Sequence, residues 1–224
     1  MKRVVIPELL DTDSGTPDEI RDSLADLANI NRYLGGHRTT AELLREVAQT
    51  TGKSSLTCLD VGGATGEAVY AVERRLNRRG IQLRASVLDR MPGHLCKNSQ
   101  NGVLHIAGDA LALPFGDRSY DVVASNLFCH HLEPEQLVQF FNEALRVSRI
   151  AVVVNDVRRN YFHLASTYAG FLFYRSRITR HDAPASVRRA YTADELRSLL
   201  SRTSAAKITI RKHYFQRLGI IVWR

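Results

Sequence analysis

Two groups of residues in this 224-residue chain carry chemistry by their types and spacing. The first is Leu59-Asp60-Val61-Gly62-Gly63-Ala64-Thr65-Gly66-Glu67, a turn of small residues between an apolar run and a helical one. Such a turn lets the backbone bend sharply and approach a ligand, in the context a nucleotide-binding glycine loop requires. Alone it is a weak signal. Asp89, 23 residues beyond Gly66, ends the next apolar run, where a carboxylate can accept both hydroxyls of a ribose. Asp109, in Ala107-Gly108-Asp109-Ala110, follows the third run and could accept from an adenine amino group. Three acids in this order, at the carboxyl ends of consecutive strands, sit where open α/β sheets bind their ligands.

The second group is Cys129-His130-His131, within Asn126-Leu127-Phe128-Cys129-His130-His131-Leu132 after a fourth apolar run. An imidazole titrates near neutrality, so His130 or His131 is a candidate general base. A Cys129 nucleophile is disfavoured, because adjacent residues rarely face each other and no orienting acid is evident. Zinc is disfavoured too: two adjacent histidines lack the remaining ligands, and no metal is expected.

The elements that must position these residues follow from the apolar rhythm. Thr16-Pro17-Asp18-Glu19 reads as a helix start, with Thr16 as N-cap and Pro17 in the first turn. Ile20, Leu24, Leu27 and Ile30 continue it, Gly35-Gly36 interrupts, and a second helix resumes over Thr39 to Thr50. From residue 56 short apolar runs alternate with helical stretches: 56–59, 83–88, 103–107, 121–125 and 150–155, with helices at 67–79 and 134–147 between them. That alternation predicts βαβ units and a mostly parallel sheet. A helical section at 161–174, an arginine-rich connector and a capped helix from Thr192 to Glu195 onward come next. Runs at 207–212 and 218–223 close the chain as two strands. The expected fold is Rossmann-like α/β: seven strands, mostly parallel, helices on both faces and the last strand antiparallel. Residues 1–50 are expected to form an N-terminal helical cap, and 51–224 the main domain, with a lid insertion at about 158–190.

Composition bounds the rest. With 44% hydrophobic and 24% charged residues, the chain is neither disordered nor fibrous. No apolar run reaches membrane-spanning length. Cys58, Cys96 and Cys129 show no zinc spacing and fit a reducing, cytoplasmic setting. The net charge of +8 is concentrated in residues 139–224, where 16 Lys and Arg face 5 Asp and Glu.

The spacing Asp-x-Gly-x-Ala-x-Gly from Asp60 resembles the first motif of class I S-adenosylmethionine-dependent methyltransferases. Asp89, Gly108-Asp109-Ala110 with Leu113-Pro114-Phe115, and Ser119 to Asn126 resemble their further motifs. The one departure is Ala64, where glycine is usual. The resemblance implies S-adenosylmethionine as cofactor, with Gly62, Ala64 and Gly66 under its methionine part and Asp60 organising the loop. Asp89 would hold the ribose, Asp109 and Ala110 would address the adenine, and Asn126 and Leu127 would line the wall near the sulfonium. Arg32, Gly35, Gly36 and His37 would close over the cofactor from the N-terminal helices. The segment after the fifth strand would form an acceptor lid, with Asn155, Tyr168, Tyr174 and Arg188 as acceptor contacts and His163, His181, Asp182 and Tyr191 near its mouth.

The phrases Asn31 to Arg38, Ser125 to Leu132 and Asn155 to Arg159 are similar to small bacterial methyltransferases found alongside type III polyketide synthases. That similarity implies O-methylation of a phenolic or polyketide-type hydroxyl on a small molecule, anionic or phenolic, with the basic segment near an ionised oxygen or a membrane surface. A quinone-type C-methyltransferase shares the same motifs. A nucleic-acid methyltransferase is disfavoured: no Asn-Pro-Pro-Tyr type motif follows the fourth strand, and the chain has no separate RNA-binding module.

Overall fold

The computed structural model describes residues 1–95 and 103–224, so Cys96 lies outside the described residues. Helix α1 (Pro17–Tyr33) begins where the sequence sets it. Thr16 Oγ1 accepts the Glu19 N–H at 3.3 Å, and the Glu19 carboxylate accepts the Thr16 N–H at 2.9 Å. Gly35, with φ 77°, turns the chain directly into α2 (Gly36–Thr51), three residues earlier than the apolar spacing predicts.

Seven strands follow: β1 (Ser55–Val61), β2 (Gln82–Asp89), β3 (Leu104–Ala107), β4 (Tyr120–Asn126), β5 (Ser148–Val157), β6 (Lys207–His213) and β7 (Arg217–Trp223). They form one sheet in the order β3-β2-β1-β4-β5-β7-β6. β1 to β5 pair in parallel, and β7 inserts antiparallel between β5 and β6. The strand order reverses at β1, with β2 and β3 on one side and β4 and β5 on the other, so the switch point where such sheets open a crevice lies between β1 and β4.

Both faces of the sheet are covered, and strand alternation deals side chains to each. Leu56, Val122, Val153 and Ile221 face α2 and α3 (Glu67–Asn77). Leu59, Val123, Val152 and Ile220 face α4 (Pro134–Val147) and α7 (Ala193–Leu200), where Phe140 and Phe141 are fully buried. Leu43, Leu44 and Val47 make α2 part of a covering layer, while α1 stands over the sheet's carboxyl edge.

Between β5 and α7 the structure differs from the sequence reading. The helical section is α5 (Tyr161–Ala169), ending in a 3-10 turn, and the arginine-rich connector is a helix, α6 (Arg177–Arg189). Pro184 inside α6 and its arginines conceal it, because proline removes a helical hydrogen bond. Tertiary contacts hold it nonetheless. Ile178, Ala185 and Val187 are buried, and Asp26 of α1 accepts the N–H groups of Arg175 and Ser176 at the helix's positive end, at 2.9 and 3.1 Å. Among the described residues no helix is long and apolar enough to cross a membrane.

Candidate active site

A cavity of about 1490 Å³ opens along the carboxyl edge of β1, β2 and β4, roofed by α1, α5, α6 and the N-terminal segment. Asp60, Gly62, Ala64, Asp89, Asp109, Ala110, Asn126 and Leu127 all line it. Gly66 does not; with φ 76° it turns the chain into α3.

The loop after β1 is held from two sides. Gly62, Ala64 and Gly66 all adopt positive φ, 72°, 45° and 76°. The Gly62 N–H donates to the Leu88 carbonyl at 2.8 Å, and the Ala64 N–H to Asp89 Oδ2 at 2.9 Å. Asp89 Oδ1 accepts the Met91 N–H at 2.9 Å. Each carboxylate oxygen keeps a further lone pair for a ligand hydroxyl. A Cβ at Gly63 would lie 2.8 Å from Asp60 Oδ2 and equally close to Val87, so this position has no room for a side chain. Asp109 Oδ1 accepts the Leu111 N–H at 2.9 Å, a local turn that fixes the carboxylate at the cavity wall.

Asp60 is fully buried. Its Oδ1 accepts from Asn126 Nδ2 at 3.2 Å, and its Oδ2 has no partner. Burial pushes its carboxyl up to about 7, against the Asn126 hydrogen bond and with help from the Asp89 charge. Asn126 Oδ1 accepts in turn from the Thr40 hydroxyl and from Asn155 Nδ2 at 3.3 Å. Asn155 Nδ2 also reaches the Gly36 carbonyl at 3.0 Å. Asn155, expected to touch the acceptor, is therefore buried behind the loop and does not line the cavity.

An orphaned buried carboxylate oxygen, a turn with no room for a Cβ at Gly62 and Gly63 and a carboxylate with spare lone pairs suit the group the motifs imply. Asp60 and the 62–66 loop fit an amino-acid end, Asp89 a ribose and Asp109 with Ala110 a base.

The two histidines occupy a 3-10 turn after β4 and line the same cavity. His130 is buried. Its Nδ1 donates to Asp156 Oδ1 at 2.7 Å, and its backbone N–H to Asp156 Oδ2 at 3.0 Å. Its Nε2 lies 3.5 Å from Glu8 Oε1. Burial disfavours the imidazolium, but Asp156 and Glu8 outweigh it and raise His130 to about 10. Burial would likewise raise Glu8, yet His130 and His131 hold it below the usual carboxylate range. His131 is less enclosed: Nδ1 donates to Asp11 at 2.9 Å, and Nε2 faces Glu8 Oε2 at 3.9 Å. The ligand atoms of Glu8, His130 and His131 lie within 4.8 Å of one another, a spacing that a cation could use. Ion pairing within the group accounts for the same spacing.

Glu8 and Asp11 are functional candidates the sequence reading missed. Glu8 lies just before, and Asp11 within, a single 3-10 turn (Leu10–Thr12) that tertiary contacts hold in place: Asp182 accepts the Leu9 and Leu10 N–H groups at 2.9 and 3.0 Å, and Ser186 donates to Glu8 at 2.9 Å. Cys129 is buried and its thiol is pushed up by burial, which leaves it inert.

The other expected acceptor residues divide. Tyr174 and His163 line the cavity, His163 held neutral by burial, which pulls it down to about 4. Tyr168 and Arg188 do not line it; they pair with each other, Arg188 Nη2 donating to the Tyr168 hydroxyl at 2.7 Å. His181 pairs with Asp182 at 2.7 Å, and the Tyr191 hydroxyl donates to the Leu132 carbonyl at 2.7 Å. Arg32, Gly35, Gly36 and His37 do not reach the cavity wall, although Asn31, Tyr33 and Leu34 beside them do; His37 Nε2 instead lies 3.2 Å from Glu67.

Residues 58–150 match the family model described as "Methyltransferase domain". No curated protein matches the chain by sequence. Among solved structures, the plantazolicin methyltransferase BpumL in complex with SAH is 14% identical with a TM-score of 0.71, over 97% of this chain and 94% of that one. A SAM-dependent methyltransferase from Aquifex aeolicus is 14% identical with a TM-score of 0.57, over 80% and 88%. The CurJ carbon methyltransferase is 12% identical with a TM-score of 0.55, over 80% of this chain and 51% of that one. Family match, sheet order and motif placement together make residues 58–150 a methyltransferase domain of the class I, S-adenosylmethionine-dependent type.

Proposed function

We propose that this enzyme methylates a hydroxyl oxygen of a small phenolic or polyketide-type acceptor. One observation carries the reading. The Asp11–His131 pair stands in the same cavity as the cofactor loop, with one imidazole nitrogen fixed on a carboxylate and the other facing the cavity group. Bound S-adenosylmethionine supplies an electrophilic methyl group on a sulfonium.

The chain's own residues then have three tasks. The 62–66 loop, Asp60, Asp89 and Asp109 hold the cofactor in one orientation, so that the displacement can be in line. The roof of α1, α5 and α6 holds the acceptor, with Phe173 and Tyr174 among its walls. A phenol has pKa about 10, so about a thousandth is ionised at neutral pH, and removal of its proton is worth roughly 10²–10⁴-fold. His131 Nε2 takes that proton, and Asp11 stabilises the resulting imidazolium. His130, locked between Asp156 and Glu8, is a positioning residue. Asp156 also accepts its backbone N–H and so fixes the turn that aims His131.

Carbon methylation of a quinone-type ring is the second reading, because an activated ring carbon uses the same fold and the same cofactor end. Incubating the enzyme with labelled S-adenosylmethionine and a panel of phenols, pyrones and hydroquinones separates the two. Products that lose the label under ether cleavage support oxygen transfer. Label retained on the ring carbon in every product would overturn it.

A further inference from the structure

Large apolar side chains crowd one rim of the cavity and face solvent. Tyr161 is 72% exposed, Phe162 70%, Leu172 89% and Phe173 81%, on α5, the 3-10 turn after it and the residue that caps that turn. Tyr33 and Leu34, at the end of α1, and Tyr214 and Phe215, in the β6–β7 turn, are exposed as well. The segments adjoin. The Arg158 N–H donates to the Gln216 carbonyl at 2.9 Å, Asn160 Nδ2 to Gln216 Oε1 at 2.7 Å, and Tyr214 packs beside Gly35. Phe162, Phe173, Tyr33 and Phe215 line the cavity mouth. Single exposed apolar residues are ordinary, whereas a contiguous group at a mouth marks an interaction surface.

Two further observations say what that surface meets. The β6–β7 turn places Phe215 at φ 49° and Gln216 at φ 60°. A hairpin turn with two such residues is normally built from Asn and Gly, which take positive φ at little cost. Here an aromatic tip is kept in spite of the strain, with Tyr214 and Phe215 edge to face at 4.5 Å. Charge is the second. From residue 157 to 181 there are five arginines and no acid; Arg159 pairs with Glu195 and Arg177 with Glu19, which leaves Arg158, Arg175 and Arg180 without an ion pair among the described residues. The side chains of Arg32, Arg175 and Lys212, within two residues of Tyr33, Tyr174 and Tyr214 in the chain, are exposed and form no ion pair among the described residues. Aromatic and aliphatic side chains flanked by cations are the chemistry of a helix lying in an anionic lipid interface.

We propose that this rim docks on an anionic lipid bilayer and that the acceptor enters the cavity from it. This rests on the phenolic reading above and narrows the acceptor to a lipophilic phenol dissolved in the membrane. Docking covers the exposed aromatics, and the mouth between them then opens onto the bilayer instead of water.

The test is flotation of the purified full-length protein with phosphatidylglycerol–phosphatidylcholine vesicles and with pure phosphatidylcholine vesicles. Binding should occur on the anionic vesicles, fall steeply as salt is raised, and be far weaker on the neutral ones. Tyr161→Ser/Leu172→Ser, which leaves the cavity wall untouched, should lower vesicle affinity by about tenfold per residue. It should still bind S-adenosylhomocysteine as the wild type does, which shows that it is folded. Phe215→Asn suits the turn better, so its Tm should rise while its vesicle affinity falls. Equal binding to both vesicle types, no binding to either, or variants that bind like the wild type would each overturn the proposal. So would a rim that is covered only in a dimer of this chain. Vesicle binding without oxygen methylation of any phenol would leave the docking surface standing and refute the acceptor. Methylation of a water-soluble phenol without vesicle binding would refute the docking surface and the lipophilic acceptor and leave the phenolic reading standing.

Discussion

The Ala64 N–H donates to Asp89 Oδ2 at 2.9 Å, which ties the turn after β1 to the end of β2. One carboxylate thus shapes the cofactor loop and offers its spare lone pairs to a ribose. Hydrogen bonds to a charged group are worth about 1.5–3 kcal/mol. Asp89→Ala should therefore weaken S-adenosylhomocysteine binding by roughly 10–100-fold, as read by calorimetry. Ala64→Gly is the companion. Alanine at φ 45° carries left-handed strain that glycine lacks, so the variant should gain up to about 1 kcal/mol, or about 2–4 °C in Tm, with cofactor affinity unchanged.

Asp60 should give stability a pH dependence in the acid range. Its carboxyl, at about 7 in the folded protein, stays protonated between about 4 and 7 while an unfolded chain would ionise there. The folded state holds the extra proton in that window, so stability falls as pH rises through it, by at most about 1.4 kcal/mol per unit, and levels off above. Asp60→Asn carries no such proton. Urea denaturation of both proteins across the window should show the wild type losing stability relative to the variant as pH climbs. Parallel curves would mean that Asp60 is ionised throughout.

The two adjacent histidines should fail differently. His131→Gln should reduce kcat by roughly 10²–10⁴-fold with cofactor affinity intact. His130→Gln leaves Asp156 and Glu8 without their buried partner, a loss of about 3–5 kcal/mol of stability. Because His130 is raised to about 10 in the folded state, its contribution is full below about 6.5 and disappears as pH rises through about 10. The wild type should lose its advantage over His130→Gln across that alkaline range, as measured by thermal denaturation.

What could be read from the chain was whatever is local. Thr16 with Glu19 and Thr192 with Glu195 form their caps within one turn, and the glycine turn after β1 sets its own backbone. The ends of β1, β2 and β4 follow from apolar runs, so Asp60, Asp89 and Asn126 land at one edge. What was hidden depends on distant partners. Helix α6 forms against Asp26 and over Pro184, with nothing in its own spacing to announce it. Tyr168 on α5 pairs with Arg188 of α6, while Tyr174, beyond the 3-10 turn, lines the cavity; that sorting is set by α6, which the spacing does not announce. Glu8 and Asp11 lie at a three-residue 3-10 turn, too short to show a period, and meet His130 and His131 across some 120 residues of chain.

That last contact makes the N-terminal segment a test of the site's assembly. Removing residues 1–13 takes away Glu8 and Asp11, and with them the carboxylate that orients His131. It also removes Arg3, which bridges Glu133 at 3.0 Å and donates to the Arg189 carbonyl at 2.8 Å. The cofactor loop, Asp89 and Asp109 touch none of these residues. The truncated protein should therefore bind S-adenosylhomocysteine within about twofold of the wild type, a difference below about 0.5 kcal/mol. It should turn over acceptor at least about 100-fold more slowly. Asp11→Asn in the full chain should reproduce part of that loss while keeping the fold, because it removes the carboxylate charge and leaves the segment in place. Full turnover in both proteins would show that His131 needs no carboxylate and that the proton leaves by another route.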